Sequence, residues 1–133
     1  MTTVTDTWLQ ALSEIALGES DDRIQEIAVG TGTGSESQDS TALSNEVYRV
    51  SFDSGAANLE LTDTVGEFVA SIDVTAGGST ANVSAQNPSE NDITEIAIFT
   101  RDEVMVVINE FPEPETIDVG TTQRFTFTGS YIR

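Results

Sequence analysis

The segment from Glu67 to Thr75 alternates apolar and polar side chains with the two-residue period of a β-strand. Its apolar positions are Phe68, Ala70, Ile72 and Val74. Because successive side chains of a strand point to opposite faces, this segment places one face in a core and the other in solvent. Such a strand belongs to an antiparallel sheet that is covered on one side.

Similar short segments, separated by turn residues, make up most of the chain. Strands are predicted at 24–29, 47–52, 58–62, 67–75, 81–85, 94–99, 104–111 and 123–132, and a single helical turn at 41–46. Glycine, asparagine and proline supply the breaks at Gly77-Gly78-Ser79, Asn87-Pro88-Ser89 and Pro112-Glu113-Pro114. The spacing predicts a mainly β fold, an antiparallel β-sandwich or jelly roll with one short N-terminal helix.

The N-terminal helix is predicted over residues 5–17. Trp8, Leu12 and Ile15 recur at helical spacing, Thr5 is a suitable N-cap, and Gly18 ends the segment. No internal repeat or linker is visible, so we expect one domain over residues 1–133, with the helix at about 5–17 and the sandwich at about 23–133.

The charge balance is strongly acidic, with 23 Asp and Glu against 5 Arg, a net charge of −18 and no lysine. Molar salt shortens the Debye length from about 8 Å to about 3 Å and so removes most of the repulsion within such a surface. The acidic residues are dispersed along a chain that is 38% hydrophobic, which favours the solvated shell of a folded halophilic protein over an acidic partner-binding tail.

Several classes of function lack the residues they need. Histidine, cysteine and lysine are absent, which removes the usual proton shuttle, thiolate and Schiff base, and we expect no enzyme, cofactor or metal site. Gly30, Gly32 and Gly34 do not have the spacing of a dinucleotide or phosphate loop. The arginines are scattered, no spanning apolar run occurs and no signal peptide is recognisable, so we expect neither nucleic-acid binding nor membrane insertion.

Two apolar features are candidates for a contact between subunits. The segment 104–108 is apolar on both faces, which predicts a central strand or one covered by a partner chain. The apolar stripe of the helix is the second feature. The candidate interface residues are Trp8, Leu12, Ile15, Val104, Val106 and Ile108.

Four segments resemble small virion proteins of tailed phages, often tail-fibre or baseplate-associated. They are Ile27–Gly34 (IAVGTGTG), Asp39–Arg49 (DSTALSNEVYR), Asp92–Phe99 (DITEIAIF) and Phe111-Pro112. Their order along the chain is that of the family, and the resemblance covers most of the sequence. Ala97 stands where the family pattern usually has glycine.

The resemblance implies a β-rich assembly module without catalytic residues. With the acidic surface, it leads us to expect a tail, baseplate or fibre component of a haloarchaeal tailed virus, assembled in the host cytoplasm and located in the virion. Its expected partners are further copies of itself and other virion proteins. The alternatives are a capsid decoration or turret protein, and an adhesion module that binds a host-surface glycan or S-layer.

Overall fold

The computed structural model describes residues 2–79, 81–84 and 91–133. One helix and eight strands follow one another along this part of the chain. Their bounds are β1 Thr2–Val4, α1 Asp6–Ala16, β2 Ile24–Gly30, β3 Glu46–Ser51, β4 Ala57–Leu61, β5 Glu67–Thr75, β6 Asp92–Thr100, β7 Met105–Thr116 and β8 Thr122–Ser130.

The strands form two antiparallel sheets. Sheet A has the order β1-β7-β6-β2-β3 and sheet B the order β4-β5-β8. The inner faces of both sheets contribute to one apolar core, in which Ile27 and Ile98 of sheet A are buried together with Phe68 and Ile72 of sheet B. The prediction of a mainly β sandwich with one short helix is therefore confirmed.

The helix begins where the sequence predicted. The Thr5 hydroxyl accepts a hydrogen bond from the backbone N–H of Trp8, which satisfies one of the free donors of the first helical turn. Thr5 is fully buried, and its hydroxyl also donates to the carbonyl of Met105 in β7. The cap thus fixes the start of the helix and ties it to sheet A.

Some local predictions are wrong. Residues 41–46 do not form a helical turn, because this stretch is tied to sheet A through the side chain of Glu95. The segment predicted as a strand at 81–85 makes only an isolated bridge between Val83 and Ala76, and Ala85 lies outside the described residues, as does the predicted break at 87–89. Strand β1 was not predicted.

Strand β7 is longer than expected and continues through Pro112 and Pro114. Its pairing with β6 shifts register between Ile93 and Glu95, so this stretch is irregular. A proline without an N–H is tolerated at such a bulge, whereas a regular ladder would lose a hydrogen bond there. The predicted break at 112–114 is therefore a distortion within the strand.

Candidate functional site

A fully buried glutamate is the most unusual polar feature of the fold. Glu95 lies in β6 between Thr94 and Ile96, and none of its surface is exposed. Ile96 and Ile98 point into the sandwich core, so the alternation of the strand directs Glu95 to the opposite face of sheet A. A carboxylate at this position needs polar partners, because burying it without hydrogen bonds is very costly.

Four hydrogen bonds satisfy the two carboxylate oxygens. Oε1 accepts from the Ser35 hydroxyl at 2.9 Å and from the Ser44 backbone N–H at 2.8 Å. Oε2 accepts from the backbone N–H groups of Gly32 and Asn45, each at 3.2 Å. All four donors are uncharged, and all belong to the connection between β2 and β3. We call Glu95 and these four donors the carboxylate cradle.

The packing around the cradle leaves no space for a side chain at Gly32 or at the nearby Gly30. A Cβ on Gly32 would lie 2.3 Å from the Cβ of Ser44, and one on Gly30 would lie 2.6 Å from the Asn45 carbonyl oxygen and 2.7 Å from Oε2 of Glu95. The connection doubles back on itself here, with the Thr31 N–H donating to the same Asn45 carbonyl at 3.0 Å. Gly30 and Gly32 therefore allow the connection to pack closely against itself and Glu95.

Beyond the cradle, the connection covers a second apolar cluster on the outer face of sheet A. Its residues are Ala28, Leu43, Ala97, Phe99, Met105 and Ile108. Leu43 comes from the connection and the others come from the sheet. Because Met105 to Ile108 are buried on both faces of β7 by their own chain, the doubly apolar pattern there reflects a central strand.

An arginine stands among three carboxylates beside this cluster. The guanidinium carbon of Arg49 lies 3.8 Å from the centroid of the Phe99 ring, and its nitrogens approach Glu26 at 3.5 Å, Glu46 at 2.8 Å and Glu103 at 2.6 Å. Burial raises the pKa of Glu26, and the neighbouring Glu103 raises it further, while Arg49 offsets part of this increase. The single positive charge of Arg49 thus faces three carboxylates. Added salt screens the repulsion that remains between those carboxylates.

The six candidate interface residues fall into two groups. Trp8, Val106 and Ile108 are buried within the single chain, and the Trp8 ring N–H donates to the Tyr131 carbonyl at 2.7 Å. Their burial removes them from the accessible surface, so replacing Trp8 would test folding before it tested assembly. Leu12, Ile15 and Val104 are half-buried and remain a prediction for subunit contact.

Two clefts open between the sheets. One, of about 210 Å³, contains the stacked rings of Phe111 and Phe125, whose centroids are 6.2 Å apart, together with Arg124 and Glu115. It is smaller than the usual small-molecule site of about 300 to 1,000 Å³. The other, of about 150 Å³, is almost wholly apolar and opens beside Leu59 and Leu61 at the edge of sheet B.

The described residues contain no group of three or more His, Cys, Asp or Glu side chains placed to hold a metal ion. Glu95 has no exposed surface, so a substrate cannot reach its carboxylate in this conformation. Within residues 2–79, 81–84 and 91–133, no helix is long and apolar enough to cross a membrane.

Glu95 lies within the DITEIAIF segment, but the residue pattern does not mark it as a site. The available signal was a carboxylate directly before the run Ile96–Phe99, which is apolar on both faces of the strand. No protein-family model, curated protein or solved structure matches this chain.

Proposed function

We propose that this chain is a structural protein of a halophilic tailed-virus particle, a tail, baseplate or fibre component that acts by forming homo-oligomers. The observation that carries the proposal is that three of the four segments that resemble phage virion proteins contribute residues to the carboxylate cradle. Gly32 comes from the first segment, Ser44 and Asn45 from the second, and Glu95 from the third. These residues are far apart in the sequence, but they take part in the same hydrogen-bonded arrangement.

The mode of action that we propose is assembly without chemistry. The cradle fixes the connection between β2 and β3 against sheet A. The Glu95 carboxylate at its centre is inaccessible. A rigid connection loses little conformational entropy when it docks against another subunit, which favours a packing role.

The negative charge of the surface favours a protein that works at high salt concentration. Arg101 pairs with the exposed Asp21 at 2.8 Å and Arg124 pairs with Asp73 at 2.8 Å. Exposed pairs of this kind stabilise a protein by only about 0–1 kcal/mol each. Five arginines therefore leave most of the 23 carboxylates unneutralised, and screening by salt must reduce their repulsion.

The test is a combined measurement of folding and mass across a salt series. Circular dichroism and light scattering would be recorded from about 0.15 M salt, where the Debye length is about 8 Å, up to saturation. A folded chain that forms a discrete oligomer at high salt supports the proposal, and the symmetry of that oligomer separates a tail component from a capsid decoration or turret protein. A folded monomer at every salt concentration would refute self-assembly and favour the adhesion alternative.

A charge variant isolates the role of screening. Glu19, Asp39, Glu113 and Asp118 are exposed, and within residues 2–79, 81–84 and 91–133 their carboxylates make no ion pair or side-chain hydrogen bond. Changing all four to the corresponding amides should lower the salt concentration needed for folding, because fewer like charges then need screening. An unchanged salt requirement would contradict the halophilic part of the proposal while leaving assembly to be judged by mass.

A further inference from the structure

We infer that β4 is the assembly edge, and that its partner is β4 of a second copy of this chain in antiparallel pairing. This inference deepens the proposed function and rests on it. Strand β4 ends sheet B, which has three strands against five in sheet A. The inner side chains of β3, the edge strand of sheet A, are also only half-buried although they pack against the core, among them Tyr48 and Val50.

The backbone N–H and C=O groups of β4 point alternately toward β5 and toward the outer edge of sheet B. The Thr62 N–H donates to the Glu67 carbonyl at 3.2 Å, and the Asp73 N–H donates to the Ala56 carbonyl at 2.8 Å. Because hydrogen-bonding direction alternates along an antiparallel strand, residues 56, 58, 60 and 62 face β5, whereas 57, 59 and 61 face outward. Within the described residues, no strand pairs with that outward edge.

The side chains at the same edge are apolar and poorly covered. Ala57, Leu59 and Leu61 lie on the inner face of β4, opposite the buried Ile72, Ala70 and Phe68 of β5. Leu61 is nevertheless 74% exposed, and the apolar cleft of about 150 Å³ opens beside it. Val65, in the turn that follows, is 91% exposed. A further strand at this edge would cover Leu61 and close the cleft.

Charge placement favours one register for the pairing of β4 with a second copy. With Leu59 on the two-fold axis, residues 57–61 pair completely, and the outward carboxylate of Glu60 faces Asn58 of the partner. Moving the two-fold axis from Leu59 to Glu60, a register shift of two residues, brings Glu60 opposite its own copy, and like charges directly opposite destabilise a pair of strands. The opposite shift places Leu61 against Gly55, beyond the partner strand. A second copy therefore fits β4 in a register that avoids repulsion in a very acidic protein.

Single cysteines test the register directly, because the chain has no cysteine of its own. In the proposed dimer, the two Leu59 Cα atoms form a hydrogen-bonded pair about 5.5 Å apart, within the range of a disulfide. Leu59→Cys should therefore form a covalent dimer under mild oxidation at high salt. Asn58→Cys and Glu60→Cys would cross-link in the two shifted registers. Val119→Cys is the control for cross-linking by random collision, because Val119 is exposed and lies near the Thr75 end of β5.

Leu59→Cys should cross-link at least about tenfold faster than the other three variants, as expected for a pair held in contact. Faster cross-linking of Asn58→Cys or Glu60→Cys would overturn the register, and equal rates for all four would overturn the β4 interface. Without cysteines, Leu61→Gln should weaken dimerisation about tenfold, whereas Val119→Gln should leave it unchanged.

The two proposals can fail separately. A chain that stays monomeric at every salt concentration refutes self-assembly and, with it, this interface. A discrete oligomer that is unaffected by Leu61→Gln and is not cross-linked through Leu59→Cys refutes the β4 interface alone. Circular dichroism of each variant ensures that a lost oligomer is not an unfolded chain.

Discussion

Replacing Glu95 by glutamine tests whether the carboxylate cradle holds the fold together. The substitution keeps the size of the side chain but turns one acceptor oxygen into an NH₂ donor. If the amide nitrogen occupies the position of Oε2, it faces the N–H groups of Gly32 and Asn45. If it occupies the position of Oε1, it faces the Ser44 N–H and the Ser35 hydroxyl, and only the hydroxyl can rotate to accept.

The second orientation costs less and sets the expected magnitude. One buried N–H, that of Ser44, loses its acceptor at a cost of about 1–3 kcal/mol, and the remaining hydrogen bonds lose the contribution of the ionic charge. The lower desolvation cost of a neutral amide offsets part of this loss. We therefore expect Glu95→Gln to lower the free energy of unfolding by about 2–4 kcal/mol, a large part of the roughly 5–15 kcal/mol typical of a domain.

Denaturant unfolding at fixed high salt measures this change, and hydrogen exchange locates it. The Gly32, Ser44 and Asn45 amides should exchange faster in the variant. Glu113→Gln is the matched control, because Glu113 is exposed and its substitution removes one negative charge as well. If the stability of Glu95→Gln lies within about 0.5 kcal/mol of that control and the amides stay protected, the cradle is not a source of stability.

Two further predictions concern neighbouring features. Gly32→Ala should destabilise the protein by about 1–3 kcal/mol in thermal or denaturant unfolding, because the added Cβ would collide with Ser44. Gly55→Ala is the control and should not destabilise it, because no heavy atom lies within 4 Å of a Cβ at Gly55. Equal effects of the two substitutions would contradict the close packing at Gly32. Glu26→Gln should stabilise the fold at pH 7, since a carboxyl group whose pKa is raised by folding destabilises the fold when ionised. This gain should disappear as the pH falls through the folded pKa toward the unfolded value of about 4.3, and a pH-independent difference between the unfolding midpoints would refute the assignment.

Local patterns in the sequence determined the helix and seven of the eight strands among the described residues. The alternation from Glu67 to Thr75 predicted β5, because a strand has a period of two regardless of what covers it. Thr5 and the apolar spacing after it predicted the helix, because capping and helical periodicity are short-range effects. From such elements, the class of a two-sheet sandwich could be predicted.

The tertiary structure decided which elements meet and what each polar exception is for. Strand β1 has only three residues and exists through its pairing with β7, a contact across more than a hundred residues that no local pattern encodes. The role of Glu95 depends on backbone N–H groups, which every residue except proline carries, so residue types alone do not reveal them as partners. The same reason hides the β4 edge: an unpaired row of backbone groups is a property of strand order, and strand order is fixed only when the sheets form.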